Sequence, residues 1–309
     1  MKPLVSVIVP NYNHAAFLQQ RLDSIYNQTY SNFQVILLDD CSTDHSLQIL
    51  KLFENHVRTK CLICNTVNSK SPFSQWKKGI QQADGLLLWI AESDDYADLN
   101  FLQVSVDAIL SGADLCYAKN CRVNEMGAPF SGDSMCWYRD ISDTRWLNSF
   151  RADAKTELRD VLFKKCVINN ASAVVFKKND LTEELLNRVS GMFYSGDWLF
   201  WMLYFENIST LIYTTATTNY FRTHAGVTRV TAPERRNPEN LKVLRYVLQH
   251  PLSSGQRLTL ARYYFAHHFV IPARRKIRFH FLFLVAICKD VPLLILPWLQ
   301  FMITGKRKL

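Results

Sequence analysis

The sequence predicts an α/β protein: a doubly wound, mostly parallel sheet flanked by helices, followed by a helical, apolar C-terminal extension. Three observations carry this. Three short apolar runs lie in the first hundred residues: Val5-Ser6-Val7-Ile8-Val9, Val35-Ile36-Leu37-Leu38 and Leu86-Leu87-Leu88-Trp89-Ile90-Ala91. None alternates regularly with polar residues, as expected of strands covered on both faces of a parallel sheet. Segments with helical spacing separate the runs, which implies right-handed strand–helix–strand crossovers. Each run also gives way to a polar or acidic cluster: Asn11-Tyr12-Asn13, Asp39-Asp40-Cys41-Ser42-Thr43-Asp44, and Glu92-Ser93-Asp94-Asp95. Parallel sheets bind ligands beyond the carboxyl ends of their strands, so clusters there point to a divalent metal and a phosphate-bearing ligand.

The elements follow in order. A strand at 5–9 leads into a helix at 15–27, where Phe17, Leu18, Leu22, Ile25 and Tyr26 fall near helical spacing. The second strand is 33–38. Ser42, Thr43 and Asp44 offer N-cap side chains for a helix at 45–55 with Leu47, Ile49, Leu50 and Phe53 as its apolar residues. A third strand at 59–65, a helix at 73–83 ended by Asp84-Gly85, and a fourth strand at 86–91 complete the alternation. Beyond Asp98 the pattern loosens. It predicts a helix at 100–110, a strand at 113–118, a polar and aromatic loop region at 127–153 and a strand at 171–176. A helix at 199–205, a strand at 211–221 and helices at 241–248 and 257–268 follow.

A chain of 309 residues, 48% hydrophobic, is long enough for one large or two closely packed domains sharing a core. Ten Gly and ten Pro exclude a low-complexity protein. The net charge of +9 is uneven, since residues 270–309 hold eight Lys or Arg and one acid. Within them the apolar segment 279–303 is split by Lys289-Asp290, and Pro292 and Pro297 interrupt its second part. Neither part reaches the roughly 20 residues of a membrane-spanning helix. Arg274, Arg275, Lys276 and Arg278 precede the segment, and Lys306, Arg307 and Lys308 follow it. Cations bracketing an apolar block suit an anionic membrane surface better than nucleic acid, so residues 274–309 are expected to be membrane-associated. The alternative is a C-terminal helix packed on the core. Cys61-Leu62-Ile63-Cys64 has no partner motif at zinc spacing, so buried, reduced thiols are expected. Met1-Lys2-Pro3 runs straight into a strand, which with the cysteines implies a cytosolic setting.

Each cluster has a chemical and a plain reading. Glu92 and Asp94, two apart, would face one ligand if the strand continued through them, but an acidic turn has the same composition. Asp39 or Asp40 could accept from a nucleobase or ribose, while Asp40 to Asp44 could simply form a turn and helix cap. Tyr12 could stack on a base or pack in the core.

Together these segments resemble the family 2 glycosyltransferases, inverting enzymes of the GT-A fold. The resemblance rests on Val5 to Asn13, Ser24-Ile25-Tyr26-Asn27-Gln28-Thr29-Tyr30, Leu38 to Asp44, Gln75-Trp76-Lys77-Lys78-Gly79-Ile80 and Trp89 to Asp95. It is strong over 3–98 and looser beyond. It implies a nucleotide-sugar-binding half at 1–98 and an acceptor-binding and catalytic half at 99–228; its motifs do not reach the last eighty or so residues, where the residues themselves predict a helical extension at 229–309. Pro10, Tyr12, Asp39, Asp40 and Glu92 would hold the donor nucleotide. Glu92-Ser93-Asp94 matches the family's DxD motif with Glu in first place, and Asp94 would bind Mn²⁺ or Mg²⁺. Tyr194-Ser195-Gly196-Asp197-Trp198 matches the place of the catalytic base. The usual Glu-Asp pair is Gly196-Asp197 here, so Asp197 stands as the base. His224 is expected at the metal and Arg222 at the phosphates. A UDP- or dTDP-sugar would be the donor. The acceptor would be a lipid-linked saccharide of bacterial surface polysaccharide synthesis, at the cytoplasmic face of the inner membrane. A sugar nucleotidyltransferase ranks lower, because Asn11-Tyr12-Asn13-His14 is not a glycine-rich triphosphate loop. A non-catalytic membrane scaffold with the same fold is the other reading.

Overall fold

The structure, a computed structural model, describes residues 2–130, 137–224, 233–269, 284, 287–289 and 291–304. Strands β1 (Val5–Asn11), β2 (Phe33–Asp39), β3 (Thr59–Cys64) and β4 (Leu87–Ile90) lie parallel in the order β3-β2-β1-β4. Helices α1 (Ala15–Tyr26), α2 (Ser46–Phe53) and α3 (Pro72–Gln82) connect them. Every residue of β1 is buried. Val5, Val7 and Val9 join one core cluster with Leu18 and Leu22 of α1, while Ile8 joins a second with Trp76 and Ile80 of α3. Cover on both faces is why the run lacks alternation. Gly79 lets α3 lie close against β1, since a Cβ there would sit 2.3 Å from Ile8 Cγ2.

The sheet continues through β5 (Tyr96–Ala97), β6 (Leu115–Val123), β7 (Phe150–Asp153), β8 (Val174–Lys177) and β9 (Thr210–Arg222). Its full order is β3-β2-β1-β4-β8-β6-β9-β5, with β7 also on β9. β8 is antiparallel to β4 and β6, and β5 and β7 are antiparallel to β9. Parallel pairing therefore holds for the first four strands and for β6–β9, and the remaining joints make the sheet mixed. Helices α4 (Phe101–Leu110), α5 (Ala154–Glu157), α6 (Glu183–Ser190) and α7 (Gly196–Phe205) flank this half. β5, β7, α5 and α6 were not foreseen. The first two are short edge pairings without a periodic signal. α6 did carry a helix-start signal, since Thr182 caps it through the Leu185 amide and Glu183 and Glu184 open its first turn. β3 is an edge strand, so Cys64 is exposed and Cys61 only half-buried, against the expectation of buried thiols; both are free.

The C-terminal region holds α8 (Pro233–Leu248), α9 (Ser254–His267) and α10 (Ile295–Thr304). α9 starts with a capping box between Ser253 and Gln256. Leu294 and Phe301 belong to the same core cluster as Tyr264 and Phe265 of α9, whereas Leu296, Leu299 and Ile303 are exposed. No described helix is long and apolar enough to cross a membrane. The basic runs at 274–278 and 306–308 lie outside the described residues, as do 131–136 of the expected loop region.

Candidate active site

A cavity of about 910 Å³ opens beyond the carboxyl ends of β1 and β4 and has the size of a small-molecule site. Pro10, Tyr12, Asp40, Glu92, Asp94 and Asp197 all line it. Tyr12, 44% exposed, follows the end of β1. The loop around it is tied to the next strand's loop by mutual bonds: Asn13 N donates to Ser42 Oγ (3.0 Å) and Thr43 N to Asn13 Oδ1 (2.7 Å). Asn13 sits at φ +55° and Cys41 at +63°, left-handed conformations that tighten both turns. Ser42 and Asp44 hold the loops together; His45, next to α2, makes no side-chain cap bond, but Asp44 Oδ1 accepts from Ser46 N, the first amide of α2 (2.9 Å).

Asp39 and Asp40 part company. Asp39 is 2% exposed beneath the loops, accepting from Asn11 Nδ2 and Ser42 N, both at 2.9 Å. It does not line the cavity. Asp40 does, and accepts from Ser69 N, Ser69 Oγ and Gln75 Nε2 at 2.7–3.1 Å. It thereby fixes the loop before α3.

The acidic cluster is a turn, not a continuation of β4, which ends at Ile90. The strand geometry that would have aligned Glu92 with Asp94 is therefore absent, and the two diverge. Glu92 Oε1 accepts from Trp76 Nε1 (2.7 Å). Asp94 Oδ2 meets His224 Nε2 at 3.1 Å. Asp95 Oδ1 accepts from Arg222 N (3.0 Å) and Oδ2 from Asn170 Nδ2 (2.7 Å). His14, which the sequence reading passed over, bonds Ser93 Oγ through Nδ1 (2.8 Å). Ligand atoms of His14, Asp94 and His224 lie within 4.8 Å of one another. Two imidazoles and a carboxylate converging on one half-buried point fit a divalent metal, and imidazole shifts preference towards Mn²⁺ over Mg²⁺. Burial lowers the His14 pKa, with Asp94 opposing, which keeps its nitrogen lone pair available. Burial pushes Asp94 up, but the neighbouring histidines outweigh it, and its carboxyl ends below the usual range.

Arg222 does not match its expected role. It is 1% exposed and does not line the cavity. Nε donates to Asp94 O (2.8 Å), Nη1 to Glu125 O (2.6 Å) and Nη2 to Gln20 Oε1 (2.6 Å). With its donors turned to backbone and Gln20, it holds the Asp94 turn instead of facing phosphates.

Burial raises the Glu92 carboxyl to about 8, the charge of Asp94 adding and the Trp76 bond opposing. Asp95 is raised to about 7, by burial first and Asp94 second. In the unfolded chain both ionise near 4. Between about pH 4 and 8 the folded state thus holds more protons than the unfolded one, and stability of the metal-free protein falls as pH rises. One proton accounts for up to about 1.4 kcal/mol per pH unit. Glu92→Gln keeps an acceptor for Trp76 and is expected to flatten this decline. Urea midpoints in EDTA from pH 5 to 8.5 measure it, and an unchanged slope would refute the assignment.

Asp197 lies in the first turn of α7 and its Oδ1 accepts from Trp198 N (2.7 Å). It is partly open to the cavity, where the positive end of a helix favours the carboxylate. Gly196 is forced by packing: a Cβ there would meet the Phe73 ring at 2.4–2.8 Å. Phe73 thus fills the space that a larger residue before Asp197 would need.

Residues 6–173 match the family described as glycosyl transferase family 2. Among curated proteins, the poly(ribitol-phosphate) beta-N-acetylglucosaminyltransferase TarS of Staphylococcus aureus is 33% identical over 129 residues, 41% of this chain and 22% of that protein. The matched part is thus under a quarter of that relative's length. Among solved structures, S. aureus TarS 1–349 in complex with UDP-GlcNAc superposes with a TM-score of 0.70 at 20% identity, covering 94% of this chain and 81% of that one. The mannosyltransferase PcManGT from Pyrobaculum calidifontis, in complex with GDP-Man and Mn²⁺, gives 0.55 at 16% identity, covering 99% and 85%. Both are likenesses of fold. A family match over more than half of the chain makes this chain a member of glycosyl transferase family 2.

Proposed function

We propose that this protein is a metal-dependent, inverting glycosyltransferase that moves a sugar from a nucleoside-diphosphate donor to a hydroxyl of a lipid-linked saccharide in surface polysaccharide synthesis. The observation that carries the reading is one cavity lined by Asp94, His14 and Asp197, with His224 bonded to Asp94. Asp197 takes the proton of the acceptor hydroxyl as its oxygen attacks the anomeric carbon. The bond from that carbon to the diphosphate oxygen breaks on the opposite face, its electron pair leaving with the nucleotide. A divalent ion held by Asp94, His224 and His14 would supply positive charge against the leaving diphosphate. Tyr12 offers an exposed aromatic face to the base. TarS, solved with UDP and with UDP-GlcNAc, supports a uridine donor. Its name and that of a teichuronic acid glycosyltransferase of Bacillus subtilis support a surface-polymer role.

Calorimetric titration with UDP, dTDP and GDP, each with and without Mn²⁺, tests the donor site. Mn²⁺-dependent binding of a pyrimidine diphosphate is expected; a folded protein that binds none of them would overturn the reading. The same proposal places the protein peripherally on the cytoplasmic face of the inner membrane. Leu296, Leu299 and Ile303, exposed on α10 at spacings of three and four, support this together with the basic residues around them in sequence. Failure to float with anionic vesicles at low salt would remove it.

A further inference from the structure

We propose that Glu239 is a positioning residue for Asp197, so that α8 of the C-terminal extension completes the catalytic site. This rests on the reading of Asp197 as the base. α7 starts at Gly196, and its N-cap, Ser195, makes no side-chain cap bond. The backbone amides leading into a helix need acceptors. Here they find one carboxylate from a distant part of the chain. Phe193 N donates to Glu239 Oε1 (2.8 Å), and Tyr194 N and Ser195 N donate to Oε2 (2.7 and 2.8 Å). Glu239 is 6% exposed, so the three charge-assisted bonds are shielded from water.

A second tie runs beside the first. Ser195 Oγ donates to Asn240 Oδ1 (2.6 Å), and Asn240 Nδ2 donates to His268 O (2.7 Å). On the other side of Asp197, the Trp198 indole stacks on Tyr264 of α9 at 5.2 Å and 17°, and its Nε1 donates to Leu162 O (2.7 Å). The residues before and after Asp197 are therefore clamped by α8 and α9, while Asp197 itself lines the cavity. Phe73 against Gly196 closes the remaining freedom. Glu239 and Asp197 both lie beyond residues 6–173, the part matched to the family.

A catalytic carboxylate displaced by about 1 Å can lose around 10²-fold in rate. Glu239→Gln keeps the side chain's volume but turns an amide group towards three N–H donors. It is expected to lower kcat about 10- to 100-fold, with donor Kd and KM within about twofold and a binding stoichiometry of one per chain. Ser195→Ala removes only the Asn240 tie and is expected to lower kcat about three- to tenfold with the same split, which keeps the test open should Glu239→Gln fold poorly. A purely structural role would instead reduce the binding-competent fraction and kcat together, and that outcome overturns the inference. Asp197→Asn is run alongside. If it is inactive while both clamp variants turn over at the parental rate per donor site, the clamp is not a positioning device and the base reading stands. If Asp197→Asn turns over normally, the base reading falls and takes the inference with it.

Discussion

Asp197→Asn is expected to lower glycosyl transfer by about 10²- to 10⁴-fold while donor affinity stays within about twofold. An inverting transfer needs a base at the acceptor oxygen, since the hydroxyl is a weak nucleophile while it keeps its proton. Asp197 meets the geometric demand by lining the cavity from the first turn of α7. The helix end favours its anionic form, which is the form that accepts a proton. Asparagine retains an oxygen for the Trp198 amide, now bonded to Asp197 Oδ1 at 2.7 Å, so the turn should survive. What it removes is the basic lone pair. The proposed donor side is built from other elements, the loops after β1 and β2 and the turn after β4, so nucleotide titrations should be unchanged. Measurement of transfer under saturating donor and acceptor separates the two effects. Turnover within a few-fold of the parent would sink the assignment.

The parts of this site that were legible in the sequence are those whose signal is local. β1, β2 and β4 are apolar runs buried on both faces, and their carboxyl ends are marked by polar residues within a few positions. Asp40, Asp94 and Tyr12 could be read from that pattern. The orientation of each side chain could not. Asp39 and Asp40 are neighbours in sequence, but only Asp40 lines the cavity. Glu92 and Asp94 follow the same strand, yet the chain turns after Ile90 and sends one to Trp76 and the other to His224. Arg222 has the right charge for phosphate, but that charge is committed to carbonyls of residues 94, 124 and 125. His14 and Glu239 escaped because their partners are distant: His14 meets Ser93, and Glu239 meets the amides before α7. A lone histidine after a strand, or a glutamate in a basic helix, carries no periodic mark of what it will touch. The sheet's antiparallel joints were hidden for the same reason, since pairing partners such as β4 and β8 are set by tertiary contact.

Asp94→Ala is expected to abolish the Mn²⁺-dependent part of nucleotide binding and to lower kcat/KM by about 10³-fold. A metal clamp on a departing diphosphate supplies several kcal/mol of charge stabilisation, and about 4 kcal/mol corresponds to three decades of rate. Asp94 is the only carboxylate in the cluster of three potential ligands found among the described residues, so its loss removes both a ligand and the site's negative charge. The histidines make the prediction graded. His224 already contacts Asp94 at 3.1 Å, and the His14 and His224 rings meet edge-on at 5.3 Å. His224→Ala and His14→Ala should each weaken Mn²⁺ binding by roughly tenfold, since each leaves one imidazole and the carboxylate. Their effect on Mg²⁺ should be smaller, because Mg²⁺ prefers oxygen donors. That contrast distinguishes direct ligation from a general disturbance of the loop, which would weaken both ions alike. Titrating Mn²⁺ and Mg²⁺ into parent and variants, with UDP present and absent, reads it directly. If Asp94→Ala keeps the parent's Mn²⁺-dependent binding, the ion sits elsewhere. If His14→Ala alone leaves Mn²⁺ affinity untouched, His14 serves only to hold Ser93, its bonded neighbour in the turn.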